Sequence, residues 1–421
     1  MTILCLLLFC NTYSQTDSDK YLPLFGEANY TKLKPRLIEL NKDINSRGIS
    51  FSDKHQTKLL TGYDYNQYYD WDLYFENIYL SYYGISEFNF TNLKVFFSLQ
   101  KQDGFIQRAF GAKSWGSKQM FKPFIAQIVL LGSHQVGNFQ FAKEHYAQLK
   151  LYLKRWFEYD TDKNGLAYWE GGADQSGMDN QTSRCVGRSE GVDLNCYLYR
   201  ELETMAVISR TLGYTEDCKE FQKHARELKG LINKYLWDEK SGFYYDRNEI
   251  DGKISYVKSV SGFTPLWAHI ASKKQAECLV KQHLINPNEF WLKYPVSGYA
   301  KTEPDYYQGS KKGECNWKGS TWIPTNYMIC HGLMDYGYKT LAETLASKTF
   351  ELAINNPTTR EYYNAETGEG VGLNPFYGWS SLAYFLPIEV KLNYSPTDLK
   401  CKNIQKLSKE INLEFIPSFH K

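Results

Sequence analysis

Five polar stretches of this chain bring acidic and aromatic residues together. One stretch, WEGGADQSGMDNQTSR, places Asp179 between a Gly-Met pair and a polar run, and another, REYYNAETGEGVG, places Glu361 beside two tyrosines. Carboxyl groups can transfer protons and accept hydrogen bonds from hydroxyls, and aromatic rings offer flat apolar faces for sugar rings. The other stretches supply Asp70 and Asp72 in YDYNQYYDWDLYF, Arg108 in DGFIQRAF, and Trp317 and Trp322 in NWKGSTWIPTNY. This combination predicts a site for a neutral, polyhydroxylated ligand.

Paired helices are the elements that must position these stretches. Apolar residues recur at helical spacing over residues 121–131, 194–212, 218–231, 322–336 and 341–352. Gly213 supplies a stop after the second segment, and Pro324 lies in the first turn of the fourth, where proline is tolerated. No series of alternating strands with tight turns competes with this pattern. We therefore predict an all-α fold of helical hairpins repeated around an axis, with function carried by the loops.

Composition limits the partners of the chain. Its formal net charge is only +2 over 421 residues, so no strong electric field points to nucleic acid. Aromatic residues make up 16% of the chain, with 34 Tyr and 10 Trp. Rings in this number fit either sugar stacking or a tyrosine-rich core, and composition leaves both open. The expected partner is a small carbohydrate, and the oligomeric state stays open.

The N-terminus indicates export. Residues 3–10 form an apolar run too short to span a bilayer, and small residues at Thr12 and Ser14 fit a signal peptidase site. We predict a signal peptide over residues 1–14, a periplasmic or secreted protein, and no membrane span. No Pro/Ser-rich linker divides the rest, so residues 15–421 are expected to form a single catalytic domain.

Seven of the nine cysteines lie beyond this signal, and none belongs to a C-x-x-C pair. Neither a disulfide framework nor a zinc site is therefore indicated.

The segment DTDKNG offers the only candidate metal ligands, Asp160, Asp162 and Asn164, which alternate as in a calcium-binding loop. The twelfth position of that loop is Gly171 rather than a bidentate glutamate, and a simple Asp/Asn/Gly turn explains the segment as well. No other cofactor is expected.

The motifs, taken in order, resemble those of glycoside hydrolase family 63. This family includes α-glucosidases and mannosylglycerate or glucosylglycerate hydrolases, and trehalases are related to it. The resemblance rests on YYDWDLYF, QSGMDNQTSR, NWKGSTWIPTNY, REYYNAETGEGVG and FYGWSSLAYFLP, spread from Tyr63 to Pro387. It implies an (α/α)6 barrel with long active-site loops and inverting hydrolysis of an α-glycoside.

The resemblance also assigns residues. It makes Asp179 the general acid, because this aspartate follows Ser176, Gly177 and Met178, and it makes Glu361 the general base that activates water. Glu366 and Glu369 are the nearby competitors of Glu361. The substrate-binding residues implied by the same analogy are Tyr65, Tyr69, Trp71, Asp72, Arg108, Gln119, Gly177, Arg188, Asn316 and Trp317.

We expect an exo-acting, inverting α-glycosidase, α-glucosidase-like in specificity. A mannosylglycerate or glucosylglycerate hydrolase or a trehalase is the nearest alternative. A helical-toroid polysaccharide lyase and a non-catalytic sugar-binding protein are the others; the near-neutral charge disfavours the first, and retention of both carboxylates disfavours the second. Without the motif series, Asp179 fits equally a helix cap or an Asx-turn, and Trp71 fits a core residue.

Overall fold

A computed structural model describes residues 24–63, 67–113, 116–184, 187–311 and 314–399. The predicted signal peptide and Tyr65 lie outside these residues, and the expectation of a single domain over residues 15–421 remains a prediction.

Fourteen α-helices occur in the described part of the chain. They are α1 (Glu27–Asp43), α2 (Asp70–Leu80), α3 (Phe88–Ser98), α4 (Ile125–Val136), α5 (Gln140–Glu144), α6 (Tyr146–Trp156), α7 (Gly172–Ser176), α8 (Val192–Leu212), α9 (Thr215–Tyr235), α10 (Thr264–Trp267), α11 (Lys273–Cys278), α12 (Ile323–Asp335), α13 (Lys339–Asn355) and α14 (Leu386–Leu392).

Six helical elements close an inner ring. These are α2, α4, α8, α10, α12 and the 3₁₀ segment Trp379–Tyr384; each contacts the next, and the last contacts α2. Helices α9 and α13 pack against α8 and α12 as outer partners. The ring is buried on all sides, as α2 shows, since all eleven of its residues are buried. This is the predicted (α/α)6 barrel.

Helix periodicity located most of these elements. Helix α8 ends at Gly213, which adopts a left-handed φ of 82°, and Pro324 lies in the first turn of α12, as predicted. Helix α4 differs, because it begins at Ile125 rather than at residue 121. The backbone N–H of Lys122 donates to the Asp70 carboxylate instead of entering a helix, and Pro123 follows.

Ten short strands, which the periodicity did not predict, pair in antiparallel ribbons among the described residues. They are β1 (Ile49–Ser52) with β2 (Thr57–Leu60), β3 (Gln67–Tyr69) with β4 (Ala109–Gly111), β5 (Ser189–Glu190) with β8 (Arg247–Asn248), β6 (Trp237–Asp238) with β7 (Phe243–Tyr244), and β9 (Tyr362–Tyr363) with β10 (Gly370–Val371). They brace the loops that precede the inner helices. In the described segments, no helix combines the length and apolar character that crossing a bilayer requires.

Candidate active site

The predicted catalytic loops share one topological feature: each precedes an element of the inner ring. The Asp179 loop leads into α8, the Trp317 loop into α12, and the Glu361 loop into the segment Trp379–Tyr384. The barrel therefore fixes one end of each loop and leaves the loop residues to meet at its mouth.

Gly177 ends the short helix α7 and lets the backbone turn toward Asp179. Its φ is 76°, a left-handed value that favours glycine. A Cβ on this residue would lie 3.0 Å from Lys122 Cε and 3.2 Å from the Trp71 ring. Gly177, predicted as a substrate ligand, is in this structure the point at which the catalytic loop packs against Lys122 and Trp71.

A buried ion network anchors the far end of the Asp179 loop. Arg184 donates to both oxygens of Asp193 at 2.9 Å and from Nε to Asp246 Oδ2 at 3.0 Å. All three side chains are buried. Removing one partner of such a buried pair costs about 3–5 kcal/mol. The network therefore holds the loop to α8, which begins one residue before Asp193.

Asp179 projects from a turn and caps no helix. Its Oδ1 is buried, and among the described residues it meets no hydrogen-bond donor. Burial, opposed by Arg108 and Lys122, raises the pKa of Asp179 to about 6. A carboxyl with this surrounding is suited to carrying a proton near neutral pH.

Glu361 directly precedes β9 and is half-buried. Its Oε2 accepts a hydrogen bond from the Leu373 N–H at 3.0 Å, and its carbonyl accepts one from Trp379 Nε1 at 2.9 Å. Burial, together with the charge of Asp179, raises the pKa of Glu361 to about 7. The competitor Glu366 instead pairs with Lys301 at the surface at 3.0 Å. Of these two glutamates, Glu361 is therefore the better-placed candidate, and its role as the base stays a prediction.

Lys122, which sequence reasoning missed, forms a charge cluster with Asp70 and Arg108. Lys122 Nζ contacts Asp70 Oδ1 at 3.0 Å, and Arg108 Nε lies 3.9 Å from the same oxygen. Burial and the neighbouring Arg108 lower the pKa of Lys122 to about 8. Arg108 also donates to the backbone carbonyl of Asp174. These cations moderate the cost of an ionised Asp179.

Four tryptophans form a continuous aromatic wall behind the two carboxyls. Trp317 stacks on Trp322 with ring centroids 3.7 Å apart, and Trp71 lies 5.7 Å from Trp317 and 5.8 Å from Trp379. Trp71 is 2% exposed and Trp317 is 1% exposed. They therefore present no free faces in this structure, so for these two rings the core interpretation of the aromatic content applies.

Tyr69, Asp72 and Gln119 lie close to the charged groups of the site. The charges of Asp72, Arg108 and Asp179 all act on Tyr69, and burial raises its pKa to about 12. Burial and the Asp70 carboxylate raise the pKa of Asp72 to about 7. Gln119 Oε1 accepts a hydrogen bond from Arg108 at 2.9 Å. These three residues remain predicted sugar ligands.

Asn316 and Arg188, both predicted sugar ligands, are engaged by other protein groups. The Asn316 amide makes four hydrogen bonds with backbone groups at 2.8–3.1 Å, donating to Tyr307 and Gly309 and accepting from Lys318 and Gly319. It therefore has no capacity left for a sugar and instead holds the shape of its loop. Arg188 is half-exposed beside Thr161 and Glu249, with Nη1 3.6 Å from Glu249 Oε2.

In the calcium-like turn, the side chains of the three candidate ligands are hydrogen-bonded to other protein groups. Asp162 Oδ2 accepts a hydrogen bond from Arg247 Nη1 at 3.0 Å, and Asn164 Nδ2 donates to Glu190 Oε1 at 2.6 Å. Asp160 Oδ2 accepts from the Gly165 N–H at 3.1 Å. Within the described residues, no three His, Cys, Asp or Glu side chains are grouped to hold a metal ion. Calcium binding here stays a prediction.

Comparison with known proteins gives the family of this chain. Residues 65–380, more than half of the 421, match the mannosylglycerate hydrolase MGH1-like glycoside hydrolase domain. The chain therefore belongs to this family of glycoside hydrolase domains, which confirms the resemblance to family 63 and the related trehalases.

Individual relatives agree with this assignment. A mannosylglycerate hydrolase of Thermus thermophilus is 31% identical over 153 residues, which cover 36% of this chain and 34% of that protein. A cytosolic neutral trehalase of Kluyveromyces lactis is 27% identical over 235 residues, covering 48% and 31%. The chain thus matches about a third of the length of these curated relatives.

A solved structure shares the fold. The family 63 mannosylglycerate hydrolase from Thermus thermophilus, in complex with Tris and D-glycerate, aligns with a TM-score of 0.69 at 20% identity. The alignment covers 84% of this chain and 99% of that one.

Proposed function

We propose that the protein is an inverting, exo-acting α-glycosidase that removes a terminal sugar from a short glycoside. The observation that carries this proposal is the pairing of two half-buried carboxyls, Asp179 and Glu361, whose charges interact and whose loops each precede an element of the inner ring. Membership of a glycoside hydrolase domain family supports it.

The reaction follows from the two carboxyls. Asp179 gives its proton to the glycosidic oxygen as the bond to the anomeric carbon breaks. Glu361 accepts a proton from water as the water oxygen bonds to that carbon from the opposite face. The product then has inverted configuration, and the carboxyls regain their starting states by proton exchange with solvent. The buried wall behind them excludes bulk water, which strengthens the interactions of both groups with charge that develops in the transition state.

Two substrate specificities merit testing. The motif series favours an α-glucoside, whereas the family description and the relatives named as mannosylglycerate hydrolases favour an α-glycosylglycerate. A panel of α-mannosylglycerate, α-glucosylglycerate, trehalose and α-linked glucose di-, tri- and tetrasaccharides separates them. We expect hydrolysis of at least one small member, with kcat/KM that does not rise with chain length, because contacts outside a one-sugar pocket are weak and solvent-exposed.

Other outcomes would contradict parts of this proposal. A steep rise of kcat/KM with chain length would indicate an extended cleft and exclude the exo-acting pocket. An unsaturated product would indicate a lyase, and tight sugar binding without turnover would indicate a sugar-binding protein.

We expect a bell-shaped pH dependence of kcat/KM. Activity needs Asp179 protonated and Glu361 ionised, and burial raises the pKa of Asp179 to about 6 and that of Glu361 to about 7. Because the acid has the lower of the two pKa values, the active form is the minor one of the two singly protonated forms. Below these values both groups are protonated, and above them both are ionised, so activity should fall on each side. A profile that is flat from about pH 5 to about pH 8 would contradict the assignment.

Export, predicted from the N-terminal apolar run, is part of the same proposal. An exported α-glycosidase would meet its substrate outside the cytoplasm.

A further inference from the structure

The thiol of Cys315 lies between the two proposed catalytic carboxyls. Its Sγ is 3.7 Å from Glu361 Oε1 in a geometry that allows the thiol to donate, and the charges of both Glu361 and Asp179 act on the thiol. Glu361 and Asp179 come from loops 182 positions apart along the chain, since their numbers differ by that amount. Cys315 is thus hydrogen-bonded to Glu361 and close enough to Asp179 for their charges to interact.

The position of this thiol is set by its neighbour. Asn316, through its four hydrogen bonds with backbone groups, fixes the loop immediately after Cys315. Asn180, next to Asp179, accepts a hydrogen bond from the Trp317 N–H at 2.9 Å. The Cys315 loop is therefore tied directly to the Asp179 loop.

We propose that Cys315 is a positioning residue. Its S–H donates to whichever of the Asp179 and Glu361 carboxyls is ionised, and so holds the two carboxyls in a fixed relative position. The catalytic roles of the two carboxyls rest on the proposed function, but the contacts of the thiol with them do not.

Two physical consequences follow. First, burial and the charges of Glu361 and Asp179 raise the pKa of the Cys315 thiol, so it remains a neutral donor rather than a nucleophilic thiolate. Second, donation to an ionised carboxylate favours its charged form, so the thiol lowers the pKa of both carboxyls relative to a pocket without it. The other titratable groups that interact with these three side chains include Tyr69, Arg108, Lys122, Asp174, Arg360 and Tyr362.

Labelling of the thiol tests these contacts without any need for turnover. Methyl methanethiosulfonate transfers a methylthio group to a thiolate and releases methanesulfinate, and mass spectrometry of peptides gives the rate at each cysteine. At about pH 8, Asp179→Asn and Glu361→Gln should each speed labelling of Cys315 about tenfold, the equivalent of one pKa unit. At about pH 5, where both carboxyls are already protonated, the variants and the unmodified protein should react alike.

Cys278, which is the half-buried last residue of α11 and lies away from the site, is the matched control. Its labelling rate should not change in either variant. An unchanged Cys315 rate at pH 8 would overturn the proposal. Faster labelling of Cys315 that persists at pH 5, or faster labelling of Cys278, would also overturn the proposal, because either result indicates a general loosening of the fold.

Activity provides the second test. Cys315→Ala removes the donor and should move both limbs of the pH profile to higher pH, whereas Cys315→Ser keeps a donor and should retain the original limbs. If the pH profiles of activity for the unmodified protein and Cys315→Ala coincide, the positioning role is overturned. Absence of any glycosidase activity in the unmodified protein would overturn the proposed function alone, because the labelling rates still decide whether the thiol contacts both carboxyls.

Discussion

Replacement of Asp179 by Asn is expected to lower kcat about 10³-fold on a disaccharide while leaving the fold intact. Asn has nearly the same shape and cannot protonate a leaving oxygen. The loss should depend on the leaving group, because an α-glycosyl fluoride departs without a proton from an acid. On the fluoride we therefore expect a loss below about tenfold.

The comparison of the two substrates makes this result specific to the acid. Asp251→Asn, which changes an exposed aspartate paired with Lys253, is the control and should leave both rates unchanged. Equal losses on the disaccharide and the fluoride would show that Asp179 does not act as the acid. Near-normal turnover of the disaccharide would remove it from catalysis altogether.

Replacement of Glu361 by Gln should lower turnover of the disaccharide and the fluoride alike, by about 10³-fold. Both reactions need water to be activated, and Gln can still accept the Leu373 N–H hydrogen bond but cannot accept a proton. The shape of the pocket should therefore survive, as judged by unchanged thermal unfolding.

Glu366→Gln is the matched control in the same loop, since Glu366 pairs with Lys301 at the surface. It should retain normal turnover. If Glu361→Gln is active and Glu366→Gln is not, the base has been assigned to the wrong glutamate. If Glu361→Gln keeps the fluoride reaction and loses only the disaccharide reaction, the roles of Glu361 and Asp179 are exchanged.

The helical periodicity of apolar residues predicted the barrel, because the longest helices of the barrel follow that periodicity closely. Helices α8 and α9 each run for 21 residues, and in α8 a left-handed glycine marks the end. The two-residue strands carry no comparable signal, because alternation needs at least four positions to be seen. The start of α4 was misplaced for a different reason. Apolar Phe121 continues the helical pattern of the sequence, but the backbone N–H of the next residue, Lys122, donates to the Asp70 carboxylate instead.

The two carboxyls of the site were predicted from motifs, whereas their supporting contacts were not. Lys122 lies in an ordinary polar and aromatic stretch, and its meaning depends on Asp70, 52 positions earlier in the chain. Cys315 has no partner cysteine in a recognisable spacing, so its place between two carboxyls is visible only in three dimensions. A basic residue beside Pro123 at a helix start is the one sequence signal that could have drawn attention to Lys122.

The anomeric configuration of the first product is the most direct test of an inverting mechanism. Proton NMR can follow the anomeric signal during the first minutes of hydrolysis of an α-glycoside, before mutarotation equilibrates the released sugar. With Asp179 as acid and Glu361 as base acting through water, the β-anomer should appear first. Initial release of the α-anomer would mean a retaining mechanism through a glycosyl-enzyme, and would contradict the account.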